Sequence, residues 1–74
     1  MNDYKKNGLL NTQKIKALIK YKQISRQQIA ERLGIKQPTL SAKLNNRFSF
    51  NVNEIKILSD ILGVSIDYLY TGDL

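Results

Sequence analysis

The 74-residue chain has no cysteine, no histidine and no tryptophan, and only one proline and four glycines. Each absence closes a class of function. Without cysteine there is no disulfide scaffold and no thiolate metal site. Without histidine there is no ordinary general base near neutral pH and no imidazole ligand for a metal. The six carboxylates are scattered along the chain, with no two on one face of one helix. No Ser or Thr has a foreseeable base partner to activate it. The glycines stand singly at positions that suit helix ends, not in a phosphate-cradling loop. An enzyme is therefore not expected, and no catalytic residue, metal ligand, cofactor or small-molecule substrate is assigned. No apolar run approaches the roughly 20 residues that a membrane helix needs. The first residues, MNDYKKNGLL, have a basic start but lack the long apolar stretch of a secretory signal. The expectation is a cytoplasmic protein with no membrane partner.

What the chain does have is an uneven charge. The formal net charge is +6. Residues 1–47 hold eleven of the twelve Lys and Arg against Asp3 and Glu31 alone. Residues 48–74 hold only Lys56 against Glu54, Asp60, Asp67 and Asp73. One basic half and one acidic half is the distribution of a protein with a nucleic-acid-facing side. Lysines 14, 16, 20 and 22 are read as solubilising a small helical domain, the ordinary role of surface lysine.

The most informative segment is SRQQIAERLGIKQPTLSAKLNN, residues 25–46. Ser25 is a natural N-cap, and Gln28 stands where it could complete a capping box. Ile29, Ala30 and Leu33 recur at helical spacing, and Gly34 follows where a helix commonly ends in a left-handed residue. Ala30 is small enough to let a second helix cross closely. Pro38 suits the first helical position and biases Gln37 away from helical geometry. Leu40 and Leu44, at i and i+4, give the second helix one buried side. Two short helices around a tight turn form a helix-turn-helix unit, whose second helix enters the major groove of DNA.

Around this unit the periodicity predicts three more helices, so five in all: residues 12–22, 26–33, 38–45, 52–62 and 66–70. The first is capped by Asn11 and buries Ile15, Leu18 and Ile19. The fourth is capped by Asn51, with Glu54 returning the bond, and ends at Gly63. The fifth is capped by Ser65 and stopped by Thr71-Gly72. Residues 1–10 read as a flexible arm and 11–74 as one domain. A domain this small buries only about 60% of its unfolded surface, so its core must be compact and mostly helical.

The segment resembles the repressor/Cro class of phage and bacterial helix-turn-helix regulators. Asn51-Val52-Asn53-Glu54 is similar to that family's capped start of the following helix, and residues 61–69, ILGVSIDYL, to its usual ending. The resemblance runs from about Ile15 to Gly72. It implies an all-α, five-helix, lambda-repressor-like DNA-binding domain. The partner it implies is double-stranded DNA, bound as a homodimer on a palindromic operator.

Helical geometry places Gln37, Pro38, Thr39, Ser41 and Ala42 toward base edges, since Leu40 and Leu44 point inward. Gln37 is the strongest candidate, because its carboxamide can pair with both N7 and N6 of adenine. Ser41 discriminates less, Thr39 and Ala42 can pack on a thymine methyl, and Pro38 offers only apolar contact. Arg26 and Gln27 open the first motif helix, where free amides and the helix dipole favour an anion. The resemblance makes Arg26 and Asn45 phosphate contacts and puts Asn46 where relatives carry glycine, at positive φ. Lys43 and Arg47 extend the same ridge. Two departures from the family stand out: Lys36 replaces the usual Ser or Thr cap, and Ala42 replaces a long polar reader. Discrimination then leans more on DNA shape.

On the fourth helix Ile55, Leu58 and Leu62 form the core stripe at about 100° per residue. Ile57 and Ile61 fall on another face and, with Tyr68 and Tyr70, are candidates for a protein interface. That patch keeps a second class open: a module of the same fold that binds another regulator, as a modulator of repression or an antirepressor does.

Overall fold

The computed structural model describes residues 10–70. Four α-helices follow in order: α1 (Thr12–Tyr21), α2 (Arg26–Leu33), α3 (Gln37–Leu44) and α4 (Val52–Leu62). A 3-10 turn, Asp67–Leu69, closes the described chain. The helix starts are set by side chains at three of the four caps. The backbone N–H of Lys14 donates to Asn11 Oδ1 at 3.0 Å, and that of Gln28 donates to Ser25 Oγ at 3.2 Å. Only Asn51 and Glu54 make the full reciprocal capping box. At Ser25 the forward bond alone is formed.

All four helices end the same way. The residue after each last turn has positive φ: Gln23 (55°), Gly34 (74°), Asn46 (63°) and Gly63 (68°). Behind each, the next amide reaches back five residues: Ile24 to Ile19, Ile35 to Ala30, Arg47 to Ala42 and Val64 to Ser59, at 2.8–3.1 Å. This is the Schellman closure, which satisfies carbonyls that would otherwise be orphaned. Two of the four positions carry a residue other than glycine and bear the strain of that geometry.

The core is drawn from every element: Ile15 and Ile19 of α1, Ile29 and Ala30 of α2, Leu40 and Leu44 of α3, Ile55, Leu58 and Leu62 of α4, then Phe50 and Leu69. Seven of these side chains are completely enclosed. Each contributes about 1.5–3 kcal/mol by leaving water. Leu18 and Leu33 are half-buried at its margin.

Three expectations are corrected. Among the described residues the helix count is four, because residues 66–70 form no α-helix. Ser65 does cap the segment, through the Tyr68 N–H at 3.2 Å. Tyr70, however, turns extended and pairs with Leu10 in an antiparallel bridge, while the Asn11 N–H donates to the Leu69 carbonyl at 2.8 Å. A five-residue helix has too few bonds to compete with a buried Leu69 and this cross-link. Leu10 therefore belongs to the domain. Residues 1–9 of the expected arm and the Thr71-Gly72 stop lie outside the described residues.

The second correction concerns α3, which starts at Gln37 with Lys36 as an N-cap that makes no side-chain bond. Pro38 is the second helical residue, and Gln37 is helical in spite of it. The third concerns α4. Ile57 and Ile61 are half-buried and not exposed, and Ile61 packs against the core beside Ile24 and Ile29. Close packing of α2 on α4 covers the face that a helical wheel leaves bare. Tyr70 is likewise packed on the core, whereas Tyr68 is exposed with the Lys14 ammonium 4.2 Å from its ring centre.

Candidate nucleic-acid interface

Short helices held at fixed angles by Ala30, Leu40 and Leu44 aim one side of α3 away from the core. With Leu40 and Leu44 inward, the opposite direction is occupied by Ala42, flanked by Pro38 and Thr39, at about 100° per residue. Gln37 and Pro38 are exposed, and Thr39, Ser41 and Ala42 are half-buried along the same surface. Pro38, Thr39, Ser41 and Ala42 thus share one uncharged outer face, and Gln37, about 140° from Ala42 by the same rotation, is exposed at the first turn. The donors and acceptors of this surface are the Gln37 carboxamide and the hydroxyls of Ser41 and Thr39.

Exposed cations stand on the segments before and after α3. Arg26 and Gln27 are exposed on the first turn of α2. Ser25 takes the Gln28 amide, and the first two amides of the helix have no partner within it. Arg47 is exposed beyond the far end of α3. Between them Asn45 ends the helix, and Asn46 adopts the positive φ expected of a glycine replacement.

Lys43 is the exception to the expected ridge. It lies about 160° around the helix from Asn45 at 100° per residue. Its ammonium donates to Glu54 Oε1 at 2.7 Å, with 13% and 8% of the two side chains exposed. The same oxygen accepts the Asn51 N–H at 2.9 Å, and Phe50 lies beneath the ammonium with its ring centre at 5.7 Å. Lys43 thus ties α3 to the capping box of α4, and its charge is neutralised inside the fold. That pair occupies the ammonium that the sequence expectation placed on the phosphate ridge. Nothing local in the sequence links Lys43 to Glu54, eleven residues away across a loop.

Two side chains of α1 reach the end of α3. Lys16 Nζ donates to Asn45 Oδ1 at 3.0 Å, and Thr12 Oγ1 donates to Asn46 Oδ1 at 3.4 Å. Separations of 29 and 34 residues hide both pairs from any local pattern. Lys14 turns elsewhere, donating to the Tyr68 carbonyl at 2.7 Å.

The remaining exposed apolar side chains include Phe48 (62% exposed) and Val52 (75% exposed), on the connection from α3 into α4. Among the described residues, no three His, Cys, Asp or Glu side chains converge on a possible metal site. No helix among them is long and apolar enough to cross a membrane.

Comparison with known families finds a match to a family described as helix-turn-helix, over residues 15–69. That span starts within α1 and ends with the 3-10 turn, so it takes in the motif and both flanking elements. No curated protein and no solved structure matches the chain.

Proposed function

The chain belongs to the helix-turn-helix family of XRE-type DNA-binding transcription regulators, and from that membership we propose a phage Cro- or repressor-like protein that binds a palindromic operator as a dimer. The observation that carries this reading is the uncharged outer face of α3, with exposed cations on the segments before and after it. Gln37 supplies the main base contact, helped by Ser41 and by the apolar surfaces of Pro38, Thr39 and Ala42. Arg26, Gln27, Asn45, Asn46 and Arg47 hold phosphates on either side and set the register. A half-site contacted by so few hydrogen-bonding readers discriminates weakly, which is the physical reason for a second copy.

The test is duplex DNA binding at two salt concentrations, with and without a candidate operator. Several neutralised phosphates make the log–log slope several units negative. A shallow slope, or no retention at about 50 mM salt, refutes the DNA reading.

The second reading, a module that grips another regulator, draws on Phe48 and Val52, whose apolar surfaces stay in water beside the recognition helix. A second copy on the same surface serves the dimer equally. Sedimentation of a Phe48→Ser, Val52→Thr variant separates these readings. Lost self-association supports the dimer, and a wild-type chain that is monomeric on operator DNA favours the module.

A further inference from the structure

The helix-turn-helix itself leaves α1 without a part in binding, yet α1 reaches the surface that follows the recognition helix. Thr12 and Lys16 are four residues apart and so stand on one face of α1. Each meets one of two consecutive asparagines, Lys16 meeting Asn45 at 3.0 Å and Thr12 meeting Asn46 at 3.4 Å. An ammonium has three protons and no lone pair. The atom of Asn45 that faces it must therefore be the carbonyl oxygen, and Nδ2 must face away. Asn45 is exposed, so those two N–H groups are directed to solvent beside the base-reading strip. Lys16 keeps two protons of its own for another acceptor. Arg47, exposed two residues further on, adds a guanidinium to the same end of the helix. The carboxylate packed against α3, that of Glu54, is held by Lys43 on the other side of the helix.

We propose that Lys16 is a phosphate-binding and positioning residue of the interface. Its ammonium fixes the Asn45 carboxamide with the donor end outward, and the two together clasp one DNA backbone phosphate next to the recognition helix. The bond holds the carboxamide in one of its two orientations before DNA arrives, so a pair of neutral N–H donors adds to a cation at no cost in reorganisation. Asn45 contributes direction and Lys16 contributes charge. The inference rests on the DNA-binding reading and extends it to a helix outside the motif.

The experiment measures binding to a fixed operator-like duplex and to an unrelated duplex across a salt series. The variants are Lys16→Met, Lys16→Arg, Asn45→Ala, Lys20→Met and Arg26→Ala. Lys16→Met keeps the apolar stem, and Lys16→Gln serves in its place if circular dichroism shows a loss of helix. Lys16→Met is expected to weaken both duplexes by about tenfold and to reduce the salt slope by about one unit. Lys16→Arg restores the slope. Asn45→Ala weakens binding several-fold and leaves the slope unchanged, because the donor it removes is neutral. Lys20→Met, one turn further along α1, measures the general effect of losing a surface charge. Equal slopes for Lys16→Met and Lys20→Met overturn the proposal, and so does an unaltered Lys16→Met. If Arg26→Ala still lowers the slope in that case, the DNA-binding reading stands without this contact. If wild-type protein binds neither duplex, both fall together.

Discussion

Removing the Lys43 ammonium gives the sharpest test of how α3 is held. In the fold its charge faces Glu54 Oε1 at 2.7 Å, and little of either side chain is exposed. Breaking a buried ion pair from one side costs about 3–5 kcal/mol, because the remaining charge is stranded. Here Glu54 keeps the Asn51 N–H at 2.9 Å and a margin of solvent, so Lys43→Met is expected to cost about 2–3 kcal/mol. For a domain of this size that lowers Tm by about 10–20 °C, at roughly 4–8 °C per kcal/mol. Glu54→Gln retains an acceptor for the cap and frees a lysine whose long stem can carry its charge to water, so it costs less, about 1–2 kcal/mol. The double variant leaves neither charge stranded. Its loss should therefore be smaller than the sum of the two, with a coupling of about 1.5 kcal/mol. Urea unfolding followed by circular dichroism measures all four corners of the cycle. A coupling below about 0.5 kcal/mol is what an exposed pair gives and refutes the structural role. The same Lys43→Met protein, measured on DNA under conditions where it is folded, should keep the wild-type salt slope. A slope reduced by about one unit would return Lys43 to the phosphate ridge.

Three further outcomes are expected. Gln37→Ala lowers affinity for a cognate site by about 1–3 kcal/mol and relaxes preference at one base pair, while Arg26→Ala weakens all sequences alike and takes about one unit from the salt slope. Equal, sequence-independent losses in competition binding rule out Gln37 as a base reader. Gln23→Gly stabilises the fold by about 0.5–1 kcal/mol, because a left-handed non-glycine residue costs about 1–2 kcal/mol and the added unfolded-state entropy offsets only part of that relief; a lower urea midpoint contradicts this. Ile61→Lys destabilises by several kcal/mol, since a charge is forced against Ile24 and Ile29, and Ile57→Lys costs distinctly less. Equal thermal shifts for the two show that the packing of α2 on α4 is misjudged.

The local signals in the sequence were strong enough to place α1, α2 and α4 within a residue at each end. Asn11, Ser25 and Asn51 each carry an acceptor that reaches an amide three residues on, and that bond forms within one turn of chain. Gly34 and Gly63 end helices because the left-handed geometry is available to glycine at no steric cost. The core stripe of Ile55, Leu58 and Leu62 follows from rotation along a single helix. The inward side of α3 follows for the same reason, from Leu40 and Leu44 at i and i+4. The family, too, was written in order along the chain, from Ile15 to the last buried leucine.

What the sequence could not determine depends on segments that meet only in the folded chain. Residues 66–70 have a cap and a helical pattern, but the bridge between Tyr70 and Leu10 spans the whole domain and extends the backbone instead. Ile61 lies off the core stripe of its own helix and is covered by another. Lys43 and Lys16 are both surface-type lysines on helices, and no local pattern separates their roles. The path of the loop into the first turn of α4 brings one to a carboxylate, and the packing of α1 on α3 sets the other beside Asn45. Hydrogen bonds and caps within a turn are encoded by neighbours in sequence. The partners of long cations are chosen by helix packing, and only the tertiary structure decides them.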